Sequence, residues 1–147
     1  MIKLNPYLTF PGNCEEAFEF YRSVFGGEFL YKTRFSDIPS NDEVTFPEYK
    51  MNRIMHIALS VGKDNIIMGG DSDEEWGSEK VQAGNNMSLS ITTRNKEDAD
   101  RFFEGLCGQG KMTMQIGDVF WGSYFGMCTD KYGINWMVKY DNHEEQV

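Results

Sequence analysis

Near the start of the chain, Leu4, Leu8 and Phe10 alternate with Asn5, Tyr7 and Thr9. A period of two predicts a strand with one apolar face and one polar face. After Pro11-Gly12 the period changes. Ala17, Tyr21, Val24 and Phe25 form one stripe at helical spacing, Asn13 with Glu16 reads as a capping box, and Gly26-Gly27 reads as the stop. The passage recurs from Ser88, in SLSITTRNKEDADRFFEGLCGQG. There Met87, Leu89 and Ile91 alternate with Asn86, Ser88 and Ser90, and Asn95 with Asp98 repeats the cap. Ala99, Phe102, Phe103 and Leu106 form the stripe, and Gly108 ends it. Strand-rich sequence follows each helix: EFLYKTRF (28–35) and KMTMQI (111–116). Each half then closes with a hairpin. The first is RIMHIALSV (53–61), a turn at Gly62–Asn65, and IIMGG. The second is WGSYFGMCT (121–129), a turn at Asp130–Gly133, and INWMVKY. The prediction is an α+β chain of two tandem βαβββ modules, 1–71 and 86–141, joined by an acidic linker over 72–85. Residues 36–52 form a long loop in the first.

Alternation also assigns faces. Met55, Ile57, Leu59 and Val61 are apolar, so His56, Ala58 and Ser60 take the face away from the helix. If Gly62–Asn65 is the whole loop, Val61 pairs with Ile66 and His56 lies opposite Asp71. The carboxylate would then orient the imidazole. The plainer alternative is a structural hydrogen bond. The same count on the second hairpin pairs Thr129 with Ile134 and sets Tyr124 opposite Lys139. Trp121, Phe125 and Met127 share one face there, and Gly122, Tyr124, Gly126 and Cys128 the other. The glycines on that second face leave room for a ligand. Trp136, with Ile134, Val138 and Tyr140, reads as core, and so does Trp121.

Composition narrows the partners. The chain has 147 residues, 40% hydrophobic and 14% aromatic, with a net charge of −9. An acidic chain repels phosphate backbones and offers no basic patch to an anionic membrane. Neither nucleic acid nor membrane is expected as a partner, and MIKLNPYL lacks a signal-peptide core. Cys14, Cys107 and Cys128 form no CxxC pair and read as reduced thiols in a cytoplasmic protein. Asp71–Glu75 alternates acids without the pattern of a calcium loop. Trp76 reads as a lid or an interface residue, and His143 lies in a polar tail.

FPGNCEEAFEFYRSVFGGE, IMHIALSVGKDNIIMGGD and FWGSYFGMCTDKYGINWM resemble the PhnB-like branch of the vicinal-oxygen-chelate (glyoxalase/bleomycin resistance/dioxygenase) superfamily. The resemblance implies one glyoxalase-like domain over 1–147 whose two curved sheets form a cup, helices outside and ligand within. It also implies a homodimer. The methyltransferase label sometimes attached to the branch has no GxGxxG-type loop behind it here. Metal ligands, where the superfamily has them, would fall near Pro6 or Tyr7, Met68 or Gly69, Asn86 or Ser88, and Met137. None of these is His, Asp, Glu or Gln, so neither metal nor cofactor is expected. The expected function is metal-independent binding of a small organic molecule by Tyr7, Thr9, Ser88, Tyr124, Cys128, Met137 and Lys139. Two alternatives stand beside it. One is a lyase or isomerase with His56 as base and Asp71 orienting it. The other is an inert or regulatory dimer whose cup is filled by its own side chains.

Overall fold

The computed structural model describes residues 1–39, 45–72 and 80–141. Trp76, His143 and most of the acidic run after Asp71 lie outside these. The chain divides into two compact units, Met1–Gln82 and Ala83–Val147. Unit 1 contains β1 (Tyr7–Phe10), α1 (Cys14–Phe25), β2 (Glu28–Arg34), β3 (Ile54–Val61) and β4 (Asn65–Asp71), in sheet order β1-β4-β3-β2. Unit 2 repeats it with β5 (Leu89–Thr92), α2 (Lys96–Cys107), β6 (Lys111–Asp118), β7 (Ser123–Thr129) and β8 (Asn135–Asp141), in order β5-β8-β7-β6. In each unit the strand before the helix pairs parallel with the last strand, and every other pair is antiparallel. This is the predicted βαβββ layout, twice.

Each helix covers one face of its sheet. Cys14, Ala17, Phe18 and Tyr21 of α1 pack on Leu8, Phe10, Ile57 and Leu59, all buried. Ala99, Phe103, Leu106 and Cys107 of α2 do the same over Trp136 and Val138. Leu8 and Phe10 are buried while Tyr7 and Thr9 are exposed, as the alternation predicts. Leu4 is not part of this face; it lies before β1 and is exposed.

The two helices start differently. Asn95 caps α2, its side chain accepting the Asp98 amide at 2.7 Å. Asn13 makes no such bond to α1. The carboxylate of Asp71, at the end of β4, accepts the Cys14 amide at 3.0 Å and the Ile54 amide at 2.8 Å. The predicted local cap is thus replaced by one supplied from a residue distant in sequence.

Both hairpins are offset by one residue from the predicted register. Val61 pairs with Asn65 and Ser60 with Ile66, so the first loop holds three residues, with Gly62 and Asp64 at φ of 58° and 64°. Thr129 pairs with Asn135, so Ile134 belongs to the second loop. Asp130 fixes that length. One of its carboxylate oxygens accepts the amides of Tyr132 (2.8 Å) and Ile134 (3.1 Å), and the other accepts Trp136 Nε1 at 2.8 Å. Trp136 is therefore core, as expected. Trp121 is not: it sits in the β6–β7 turn, 53% exposed, its ring edge-on to Phe125.

Two of the three cysteines are not reduced thiols. Cys107 at the end of α2 is disulfide-bonded to Cys128 of β7, with Cα atoms 5.7 Å apart, while Cys14 is buried and unbonded.

Candidate functional site

With α1 and α2 covering one face of each sheet, chemistry has to come from the other. In unit 1 the register places Tyr7, Met68, Ala58 and Tyr31 in one row across all four strands, with Thr9, Gly70, His56 and Thr33 beside it. His56 lies between two tyrosines. Its ring stacks on Tyr7 at 5.4 Å and 29°, and meets Tyr31 at 4.8 Å and 55°. Tyr31 Oη is 3.2 Å from His56 Nε2 and 3.7 Å from Met68 Sδ. One hydroxyl proton cannot serve both contacts. When Tyr31 donates to the sulfur, Nε2–H donates to Tyr31; when Nε2 is bare, Tyr31 donates to it. Tyr7 Oη donates to the Met55 carbonyl at 3.4 Å. Burial, with the nearby acidic groups Cys14, Tyr31 and Asp71, pushes the Tyr7 phenol above its ordinary pKa, so it stays a neutral donor. Gly70 makes room for this arrangement: a Cβ there would stand 2.6 Å from Tyr7 Oη and 2.6 Å from the Met55 carbonyl oxygen.

Tyr7 and Thr9 are therefore on this open face, as predicted, and so is His56. Asp71 is not its partner. The shortened loop shifts β4 by one residue, and the Asp71 carboxylate turns to the helix side, to the Cys14 and Ile54 amides. Burial raises its pKa against the opposing pull of those amides and of Arg53. Tyr31 was not singled out from sequence, and Met68 was named only as a position where a metal ligand would fall. A register shift between Phe29 and Tyr31 in β2 is what brings Tyr31 opposite Ala58, and no alternation count anticipates a bulge.

In unit 2 the open face carries Ser90, Met137, Met127 and Met114 in one row, then Thr92, Lys139 and Phe125. Met137 and Lys139 are where the sequence put them, and Ser88 lies just before β5, half-buried. Tyr124 and Cys128 are on the opposite, helix-covered face. Tyr124 pairs with Tyr140 rather than Lys139, and its hydroxyl donates to Asp100 of α2 at 2.5 Å, which pushes its pKa up to about 12. Cys128 is bonded to α2. Gly126, read as room for a ligand, is room for the helix: a Cβ there would meet Phe103 Cε2 and the Ile116 backbone at 2.8 Å. Lys139 Nζ pairs with Asp141 at 3.3 Å.

The residues at the superfamily's metal positions do not fit a divalent catalytic ion. They offer a protonated phenol (Tyr7), thioethers (Met68, Met137) and a hydroxyl (Ser88), where such ions need imidazole or carboxylate. Among the described residues no group of three or more His, Cys, Asp or Glu is placed to hold a metal, and no helix is long and apolar enough to cross a membrane.

Residues 2–139 match the family model described as 3-demethylubiquinone-9 3-methyltransferase. Protein YjdN of Escherichia coli is 31% identical over 144 residues, 92% of each chain. The crystal structure of protein PA1353 from Pseudomonas aeruginosa is 33% identical, with a TM-score of 0.81 over 96% of this chain and 98% of that one. A structure titled putative 3-demethylubiquinone-9 3-methyltransferase, PhnB protein, from Bacillus cereus is 26% identical, with a TM-score of 0.74 over 95% and 99%. The fold likeness extends to a glyoxalase/bleomycin resistance protein/dioxygenase family enzyme from Burkholderia phytofirmans, 14% identical, TM-score 0.59, over 91% and 95%.

Proposed function

The chain belongs to the PhnB-like 3-demethylubiquinone-9 3-methyltransferase family, within the glyoxalase/bleomycin resistance fold, and from that premise we propose that it binds a small planar organic molecule on the open face of its first sheet without a metal. The observation that carries this is the Tyr7–His56–Tyr31 cluster. Three aromatic rings lie in contact on the face away from α1, and Tyr7 and Tyr31 remain 49% and 39% exposed. A planar ligand stacks on such a platform at little entropic cost, because the rings are already ordered by each other. Met68 adds an adaptable apolar wall, and Tyr31 with His56 supplies polar atoms that fix orientation. The methyl transfer in the family description is not part of this reading. Nothing in the passage from β1 through Pro11-Gly12 into α1 forms the glycine-rich turn that cradles a nucleotide.

The test is a calorimetric titration with naphthoquinone as the planar probe. Tyr7→Ala and Tyr31→Ala are each expected to weaken binding about tenfold, the worth of one lost stacking surface. Undetectable binding by the native chain, or binding indifferent to both variants, overturns the proposal.

The Tyr31–His56 contact also favours a second reading, proton transfer by a lyase or isomerase with His56 as base. Asp71 has no part in it. His56→Ala separates the two readings: a binder loses affinity about as Tyr7→Ala and Tyr31→Ala do and has no turnover to lose, whereas an enzyme loses turnover by orders of magnitude beyond any loss of binding. A homodimer belongs to the same proposal, whereas the cytoplasmic location expected from reduced cysteines turns on the state of those cysteines. Two-fold dimers are the commonest closed assembly. The Cys107–Cys128 bond stands against a reducing compartment, and a thiol count on protein taken directly from cells decides that point.

A further inference from the structure

The second unit carries a feature that the aromatic platform does not explain and that stands independently of it. Five of the nine methionines (Met87, Met112, Met114, Met127 and Met137) fall in this unit. Three of them meet. Met114 pairs with Met127, and Met127 with Met137, on three adjacent strands and on the face away from α2, with Ser90 next in the row on β5. Met114 is 40% exposed, and Met127 and Met137 are half-buried. Neighbouring strands lie about 4.8 Å apart, so Met127 is one strand from each of the others. Each thioether swings on three rotatable bonds, and all three sulfurs can reach one point above the sheet.

From this row we infer a binding site for a soft monovalent cation of the Cu(I) or Ag(I) class, held by the thioethers of Met114, Met127 and Met137. The donor chemistry selects the ion. Thioether sulfur prefers soft, closed-shell monovalent metals, whereas hard and borderline divalent ions require the oxygen or imidazole donors this row lacks. Met137, one of the residues that does not suit the superfamily's divalent metal, is among the three donors that suit this one. Lys139, the cation two residues along from Met137, has its charge offset by Asp141, and the chain as a whole is acidic.

Ag(I) is the probe, because it needs no reductant and the disulfide stays closed. It is titrated into the full chain carrying Cys14→Ala, which removes the unbonded thiol, with the methionine methyls labelled with carbon-13 for NMR. The methyl signals of Met114, Met127 and Met137 are expected to shift together and saturate at one Ag(I) per chain, while Met51 and Met55 stay in place. Met127→Leu keeps the apolar bulk and removes the sulfur. It is expected to weaken binding by about tenfold or more, since even supporting changes around a metal cost that much. Met137→Leu serves equally if the first variant is unstable. The inference is overturned if the three signals do not move, if they titrate separately, or if Met87 and Met112 shift alongside them without saturation. It is also overturned if naphthoquinone, rather than Ag(I), moves the three methyls, for the face is then an apolar ligand wall. None of these outcomes depends on the aromatic platform of unit 1.

Discussion

Asp71→Ala tests the reassignment of the residue that sequence made a catalytic partner. In the structure its carboxylate, 8% exposed, takes the first amide of α1 and the first amide of β3. Alanine strands both donors beneath the helix start. A buried donor left without its partner costs about 1–3 kcal/mol. Two such donors set a range of roughly 2–6 kcal/mol, and relief of the carboxylate's own desolvation offsets part of it. The net loss is expected in the lower part of that range, about 2–4 kcal/mol. For a chain of this size that lowers Tm by roughly 6–12 °C. Urea and thermal unfolding followed by circular dichroism measure it. Asp71→Asn keeps one accepting oxygen and should lose about half as much.

The pH dependence carries a sign. The folded pKa of Asp71 is raised above its unfolded value, chiefly by burial. Its contribution is therefore fully present below the ordinary aspartate range and declines as pH rises through the folded value. The stability gap between native chain and Asp71→Asn should narrow on going from acidic to neutral pH. Glu15 works the other way. Hydrogen bonding to Arg34 holds its carboxyl below the usual range, so its contribution is present above that range and lost on acidification. Only the difference between native and variant isolates Asp71. An Asp71→Ala chain as stable as the native one, within the roughly 0.5 kcal/mol typical of inert surface changes, refutes the capping role.

Gly126→Ala should cost about 1–3 kcal/mol by overpacking Phe103 and the Ile116 backbone, whereas Gly117→Ala, with nothing within 4 Å of its Cβ, should be neutral; equal Tm values for the two oppose the helix-side placement of Gly126. Thiol titration in denaturant should find one reactive cysteine before reduction and three after, and Cys128→Ser, which opens a bridge spanning 21 residues, should destabilise by about 3 kcal/mol. Tyr31→Phe keeps the ring and loses the hydroxyl that contacts His56, so unfolding should move by no more than about 1 kcal/mol and naphthoquinone affinity should hold; a loss as large as that of Tyr31→Ala refutes stacking as the basis of binding.

What could be read in advance followed from periodicity. Both helices, the order of elements, and the facing of Tyr7, Thr9 and His56 came from periods of two and 3.6 that each residue repeats locally. The errors came from single residues that change parity. A hairpin loop of three rather than four residues moved Asp71 off His56, and a loop of five rather than four moved Tyr124 off Lys139. The backbone conformation of Asp64 and the hydrogen bonds of Asp130 set those lengths, and neither leaves a signature in hydrophobicity. Glycine misled for a related reason. It marks close approach, but Gly126 is approached by α2 and Gly70 by Tyr7, and sequence does not say which neighbour comes. The Cys107–Cys128 bond joins the end of a helix to a strand 21 residues on, a contact that spacing alone does not reveal.

Asp130 makes the β7–β8 turn a counting device. Its two oxygens take two amides of the turn and the indole of the strand beyond, so only one loop length satisfies all three at once. A one-residue insertion between Asp130 and Asn135 would rotate β8 by half a pleat, sending Trp136 and Val138 outward and Met137 and Lys139 under the helix. Natural length variation should therefore be purged from this turn. The Val119–Gly122 turn, whose Phe120 and Trp121 reach into solvent, constrains no buried side chain in that way. Lineages descended from a common ancestor are expected to drift in length at the one and stay fixed at the other.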